Sequence, residues 1–225
     1  MYMSRITLRP DAGRGSHFWR LAAGQGQQDH KFLWQIFSDG PDRKRDFVFR
    51  RSDDARGAMG YLAVSARRPQ EDGMWRTEVK PYQPKLRLGQ RLAFSLRVNP
   101  VVSRRDQNGK QQRHDVVMDA KKTLEANKLP REQWPRQSVL VQEAGARWLA
   151  ERAQGHGFQV MPEQVRAEGH HQVSFRKGSR VVSLSSLDLD GFLTVTDPSR
   201  FVETLYGGMG PAKGYGFGLM LVRPA

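Results

Sequence analysis

A glycine-dense loop near the C-terminus carries the clearest chemical signal in this chain. It runs from Gly207 to Gly218 and holds six glycines in twelve positions, around Pro211 and Lys213. Glycine lets backbone N–H groups turn outward and approach an anion closely. Lys213 would supply a point charge for the same anion. Gly208, Gly210, Gly214 and Gly216 are therefore candidate phosphate contacts. An ordinary glycine turn ahead of a last strand is the other reading, and the loop's composition leaves both open. Phe217, Leu219, Leu221 and Val222 follow as a short apolar strand, so the loop is expected to be held at a sheet edge.

The composition favours the anion. The chain has 225 residues, with 37 Lys+Arg against 23 Asp+Glu, a formal charge of +14. A surplus of that size points to a polyanionic partner, most often nucleic acid. A merely solvated basic surface would be lysine-rich. Here arginine dominates, and arginine forks onto phosphates and stacks on bases. There are no cysteines, which excludes disulfides, thiolate metal sites and a cysteine nucleophile. The six histidines are scattered. His170 and His171 have only Glu168 nearby at ligand spacing, which argues against zinc. No apolar run reaches eighteen residues and no leader pattern opens the chain, so a cytoplasmic protein without a membrane partner is expected.

The elements that must position the loop follow from periodicity. Met3 to Leu8 alternates as a first strand. From Gln27 the apolar spacing becomes helical, with Phe32, Leu33, Ile36 and Phe37 on one face, Asp29 as N-cap and a stop at 38–42. A short helical piece is expected around 17–22. Asp46–Arg50, Gly60–Ser65 and Arg91–Val98 read as strands, and Pro69–Lys85 as loop or extended chain. The order is β-α-β-β-(irregular)-β, a split βαβ unit with a degraded second helix. After Asn99-Pro100 comes a basic, turn-rich stretch to Lys128, with a hairpin signal at Asn108-Gly109. A helix over Gln137–Ala153 follows, then strands over 158–161, 171–175, 180–184 and 192–196. A helix from Pro198 to Tyr206, capped by Asp197, precedes the glycine loop. The expected class is α+β, with two ferredoxin-like (RRM-like) domains at 1–98 and 99–225. A single α+β domain is the alternative.

Several segments in this order resemble one family. They are Met1–Arg5, His30–Phe37, Arg45–Arg50, Phe94–Pro100, Gly191–Asp197 and Gly208–Lys213. Together they are similar to the CasE (Cse-type) CRISPR endoribonucleases, over essentially the whole chain. The resemblance implies tandem ferredoxin-like domains. It implies metal-independent cleavage of CRISPR precursor RNA at the base of the repeat hairpin, with no cofactor and no small-molecule substrate. The 2′-hydroxyl would be the nucleophile, leaving a 2′,3′-cyclic phosphate. The product crRNA would be retained within Cascade, in contact with other subunits, especially the backbone subunit. A non-catalytic hairpin-binding scaffold of the same fold is the rival reading.

Carried over residue by residue, the resemblance places His30 at the catalytic position. An imidazole can give or take a proton near neutrality. The helix start favours a phosphate there and disfavours a charged ring, so acid and base roles both stay open. By itself His30 would read as a surface helix residue. Lys213 is the second catalytic candidate, as a phosphate ligand stabilising the transition state. Lys31 could add charge or be a solvated helix lysine. Some family members carry a tyrosine one turn before the histidine. Here Gln27-Gln28-Asp29 has none; Tyr215 could substitute, or His30 and Lys213 would work without a tyrosine. Stem binding is expected from two basic hairpins, one with Arg104, Arg105, Lys110 and Arg113, the other with Arg176, Lys177 and Arg180. Any one of these could equally be a solvated turn residue.

Overall fold

The structure is a computed structural model that describes residues 1–9, 27–37, 45–52, 59–70, 73–105, 108–177 and 179–225. The helical piece expected around 17–22 and the stop at 38–42 lie outside the described residues. Two compact units result. The first comprises residues 1–85, 173–184 and 202–219; the second comprises 86–172, 185–201 and 220–225.

In the first unit, β1 (Tyr2–Leu8), β2 (Phe47–Arg51), β3 (Gly60–Ser65) and β4 (Trp75–Pro81) form a sheet in the order β2-β3-β1-β4. Every neighbouring pair is antiparallel. Helix α1 (Gln27–Phe37) links β1 to β2, which flank β3 and run parallel to each other, as the split βαβ unit requires. The helical spacing of Phe32, Leu33, Ile36 and Phe37 is realised: all four are buried in one core with Ile6, Phe49, Tyr61 and Trp75. Burying such side chains stabilises by about 1.5–3 kcal/mol each. Asp29 is not the N-cap. The helix begins at Gln27, and Asp29 is buried in its first turn, where its carboxylate accepts a 2.5 Å hydrogen bond from the Tyr61 hydroxyl.

The fourth strand also differs from expectation. It is Trp75–Pro81, inside the stretch read as loop. Only Trp75 is buried; the charged residues Arg76, Glu78 and Lys80 line its exposed positions. Edge strands commonly carry such charge, and it hides their apolar signal.

The strand Arg91–Val98 (β5) was expected to close the first domain. It is instead central to the second sheet, paired with β10 (Arg180–Val195) on one side and β11 (Met220–Pro224) on the other. That sheet runs β11-β5-β10-β8, with β8 at Phe158–Gln159 and β9 (Val165–Lys177) also pairing with β10. The two units therefore do not coincide with a division at 98/99. Helix α3 (Gln137–Ala153) falls between β5 and β8, and α4 (Pro198–Gly207) between β10 and β11. The ferredoxin-like order thus recurs. Asp197 caps α4 as expected, its carboxylate accepting from the Arg200 amide at 3.0 Å.

Between β5 and α3 lies an insertion. The expected hairpin is β6 (Val101–Arg105) with β7 (Gln111–Asp115). It continues into α2 (Val116–Ala126), a helix absent from the sequence reading. Asp115 caps it, accepting from the Val117 and Met118 amides at 3.0 and 2.9 Å. Capping carboxylates at this position contribute about 1 kcal/mol.

Candidate active site

His30 lies in the first turn of α1, half-buried, with Nδ1 screened from solvent. Two aromatic rings bracket it. Trp34, one turn along the same helix face, has its ring centroid 5.9 Å away. Tyr215 from the glycine loop is also at 5.9 Å. The loop reaches His30 through a 3-10 turn over Lys213–Tyr215, closed by the Tyr215 amide donating to the Ala212 carbonyl at 2.8 Å. Left-handed residues flank the turn, Ala212 at φ 61° and Gly216 at φ 87°. Gly214 has no side chain where the backbone meets the site. A β-carbon there would lie 3.4 Å from His30 Nδ1 and 3.0 Å from Arg45 Nη1.

The electrostatics are one-sided. Burial lowers the Lys213 ammonium below the ordinary lysine range, and the positive charge of Arg45 lowers it further. Burial likewise lowers Arg45, which remains a cation at any physiological pH. Among the described residues, no carboxylate is paired with either. Other arginines are matched: Arg67 forks onto Asp46 and Arg97 onto Asp188, with both nitrogen–oxygen contacts in each pair between 2.7 and 3.1 Å. A histidine near two cations is suited to meet an anion and move a proton next to it. Among the described residues, no group of three His, Cys, Asp or Glu is arranged to hold a metal ion.

The remaining sequence candidates divide into groups. Gly208 is buried at φ 72° and its amide donates to the Thr204 carbonyl at 2.8 Å. It ends α4, so this amide does not turn outward. Gly210 is left-handed at φ 78°, and Gly216 presses on the Phe49 ring, where a β-carbon would lie 3.3 Å away. Gly214 lies on both His30 and Arg45. Lys31 is exposed on α1. Arg176 is exposed near the tip of the β9–β10 hairpin, and the side chains of Lys177 and Arg180 lie outside the described residues. Phe175, beside Arg176, packs its ring at a tilt against Tyr215 with centroids 4.8 Å apart. In the second unit, Arg105, Lys110 and Arg113 are exposed on β6–β7, while Arg104 is engaged by Asp119 at 2.7 and 3.2 Å.

Sequence reasoning missed Arg45, Trp34 and Phe175 as parts of the site. Arg45 lay within a segment used for the family resemblance, yet its spacing from His30 carried no chemistry. The placement of α1 beside the entry to β2 brings the two together at Gly214. The Tyr215 substitution is compatible with the ring contact to His30, whereas the Gln27 and Gln28 side chains lie outside the described residues.

Two ferredoxin-like units define an α+β protein, and in the first of them a histidine stands near two cations with no carboxylate paired to them among the described residues. The chain belongs to the CRISPR associated protein family, whose model matches residues 1–224. It is 26% identical over 226 residues to the CRISPR system Cascade subunit CasE of Escherichia coli. It is also 26% identical over 231 residues to the CRISPR-associated endoribonuclease Cse3 of Thermus thermophilus. Both alignments cover 100% of both proteins. Among solved structures, Thermus thermophilus Cse3 bound to an RNA representing a pre-cleavage complex superposes with a TM-score of 0.69. That match has 24% identity and covers 99% of this chain and 98% of the other. Escherichia coli Cas6e superposes at 0.57, with 21% identity and 100% coverage of both chains. These likenesses establish the shared fold.

Proposed function

We propose that this chain is a metal-independent endoribonuclease that cleaves CRISPR precursor RNA at the base of the repeat hairpin and keeps its product within a type I-E Cascade. The observation that supports the reading is that Gly214, the residue after Lys213, lies against both His30 and Arg45, while the charge of Arg45 reaches Lys213. The full-length similarity to proteins named CasE and Cse3 supports it.

In this reading the 2′-oxygen attacks the adjacent phosphorus as the bond to the 5′-oxygen breaks. The 2′-hydroxyl loses its proton and the leaving 5′-oxygen gains one. The products are a 2′,3′-cyclic phosphate and a 5′-hydroxyl. His30 moves one of these protons, a contribution of about 10²–10⁴-fold. Lys213 holds the charge that accumulates on the phosphorane, worth about 10²–10³-fold. Tyr215 sets the imidazole's orientation from the loop side. The exposed cations Lys31, Arg105, Lys110, Arg113 and Arg176 bind stem phosphates, with Lys177 and Arg180 extending the second cluster. Their contacts make affinity fall steeply with salt. Gly210, Gly214 and Gly216 let the loop backbone approach the RNA.

The test is cleavage of a matching repeat hairpin in EDTA by wild type and by His30→Ala, beside a hairpin carrying a 2′-deoxy at the scissile nucleotide. Cleavage by wild type alone, on the ribose substrate alone, with a cyclic phosphate end, is the expected result. Tight binding without cleavage by wild type would establish the scaffold reading instead.

A further inference from the structure

We propose that Arg45 is a third catalytic group, gripping the non-bridging oxygens of the scissile phosphate beside Lys213; this rests on the endoribonuclease reading above. Arg45 stands two residues before β2. The side-chain-free face of Gly214 touches it and His30 at once: the same point lies 3.0 Å from Arg45 Nη1 and 3.4 Å from His30 Nδ1. Lys213 immediately precedes Gly214 in the loop, close enough for Arg45 to act on its charge. Three groups from α1, the entry to β2 and the glycine loop therefore meet at one place.

Charge balance gives the place its meaning. Arg67, Arg97 and Arg104 each fork onto a carboxylate. Among the described residues, Arg45 and Lys213 have none. Two like charges brought together and partly stripped of water destabilise a fold until an anion joins them. A phosphodiester fits, because its two non-bridging oxygens match the planar fork of a guanidinium. The phosphorane carries more negative charge on those oxygens than the ground state does. A pair of cations there binds the transition state more tightly than the substrate, which is the condition for catalysis. Arg45 stays protonated throughout and takes no part in the proton transfers.

The experiment is single-turnover cleavage of a repeat hairpin at saturating protein in EDTA, by wild type, His30→Ala, Arg45→Gln and Arg45→Lys. Affinity for the 2′-deoxy hairpin and the melting temperature of the RNA-free proteins are measured alongside. Arg45→Gln is expected to cleave about 10²-fold more slowly. It should bind the 2′-deoxy hairpin nearly as well as wild type and melt at or above the wild-type temperature, since one of two repelling charges is gone. Arg45→Lys should recover part of the rate, having the charge without the fork. Cleavage by Arg45→Gln at the wild-type rate, loss of affinity in proportion to the loss of rate, or a markedly lower melting temperature would overturn the assignment while leaving the ribonuclease standing. No cleavage by wild type would overturn the ribonuclease reading itself, and Arg45's role with it.

Discussion

His30 and His170 are the same residue in opposite settings. His170, in the second unit, places Nε2 3.0 Å from the Asp115 carboxylate, and both side chains are about nine-tenths covered. That carboxylate also caps α2, so the histidine braces a helix start. His30, in the first unit, sits between Trp34 and Tyr215 with Lys213 and Arg45 near, and those two cations have no carboxylate paired to them among the described residues. A histidine matched to a carboxylate is satisfied by the protein. In the proposed reading, a histidine near two cations with no carboxylate paired to them among the described residues stands where an RNA phosphate would bind. The two differ in the charges nearest them among the described residues, a carboxylate for His170 and two cations for His30.

The largest break in that contrast comes from removing each ring. His30→Ala should lower single-turnover cleavage by about 10³-fold or more, within the range of lost proton transfer. His170→Ala should leave the rate unchanged and instead cost about 1–2 kcal/mol of stability, from a partly buried acceptor left short of its partner. Equal rate losses in the two variants would abolish the distinction.

Lys213 gives the next effect. Lys213→Ala should slow cleavage by about 10²-fold with little change in hairpin affinity. The pH profile carries the sharper signature. Burial and Arg45 hold the Lys213 ammonium below the ordinary lysine value, so its charge is lost at lower pH than in a free lysine. Activity that needs this charge should fall off early on the alkaline side. Lys213→Arg, which keeps its charge, should move that limb to higher pH. Stability runs the other way. Between the lowered value in the folded protein and 10.5 in the unfolded chain, the unfolded state holds more protons, so stability rises with pH across that window.

How much of this contrast could be read from the chain depends on how local each signal is. Helices α1, α3 and α4 and the strand β5 carry their own periodicity, and α4 its cap at Asp197, so they were legible. Helix α2 had a cap at Asp115, but Arg113 and the preceding Asn-Gly turn made the region read as basic loop. Strand β4 was hidden by its alternating charges. Which sheet β5 joins depends on its pairing with β10 and β11, segments about ninety and more residues onward, and no local pattern encodes that. The site is the least local feature of all. His30, Arg45 and Gly214 come from three places in the sequence: the glycine density around Lys213 announced Gly214, the family resemblance placed His30, and no local signal pointed to Arg45.

On the structural side of the comparison, Asp115 tests whether His170 is truly a bracing residue. Burial alone would raise the Asp115 carboxyl, but hydrogen bonds from His170, the Met118 amide and Ser185 outweigh it and hold it below 3.8. A depressed carboxylate stabilises fully above its unfolded value, and that contribution is lost as pH falls through the folded value. Asp115→Ala should therefore destabilise by about 1–2 kcal/mol at neutral pH, and the difference from wild type should shrink in acid. Asp115→Asn keeps a good capping group and should recover most of the loss. Urea denaturation of the three proteins at neutral and acid pH measures both.

The smallest expected effect is the most specific to the site. Gly214 has ordinary backbone geometry, so alanine there adds no backbone strain. Its methyl group would meet Arg45 Nη1 at 3.0 Å, closer than normal contact, and His30 Nδ1 at 3.4 Å, which is close to ordinary. The guanidinium is the end of a flexible side chain and gives way first. Gly214→Ala should thus displace Arg45 by a few tenths of an ångström and leave His30 nearly in place. Positioning errors of 1 Å can cost about 10²-fold, so a loss of several-fold in rate is expected. The loss should vanish in the Arg45→Gln background, because the displaced group is already gone. A double-mutant cycle on single-turnover rates reads this directly. Additive losses would mean that the methyl group acts through His30 or the loop backbone, and that Gly214 is small for the histidine's sake and not the arginine's.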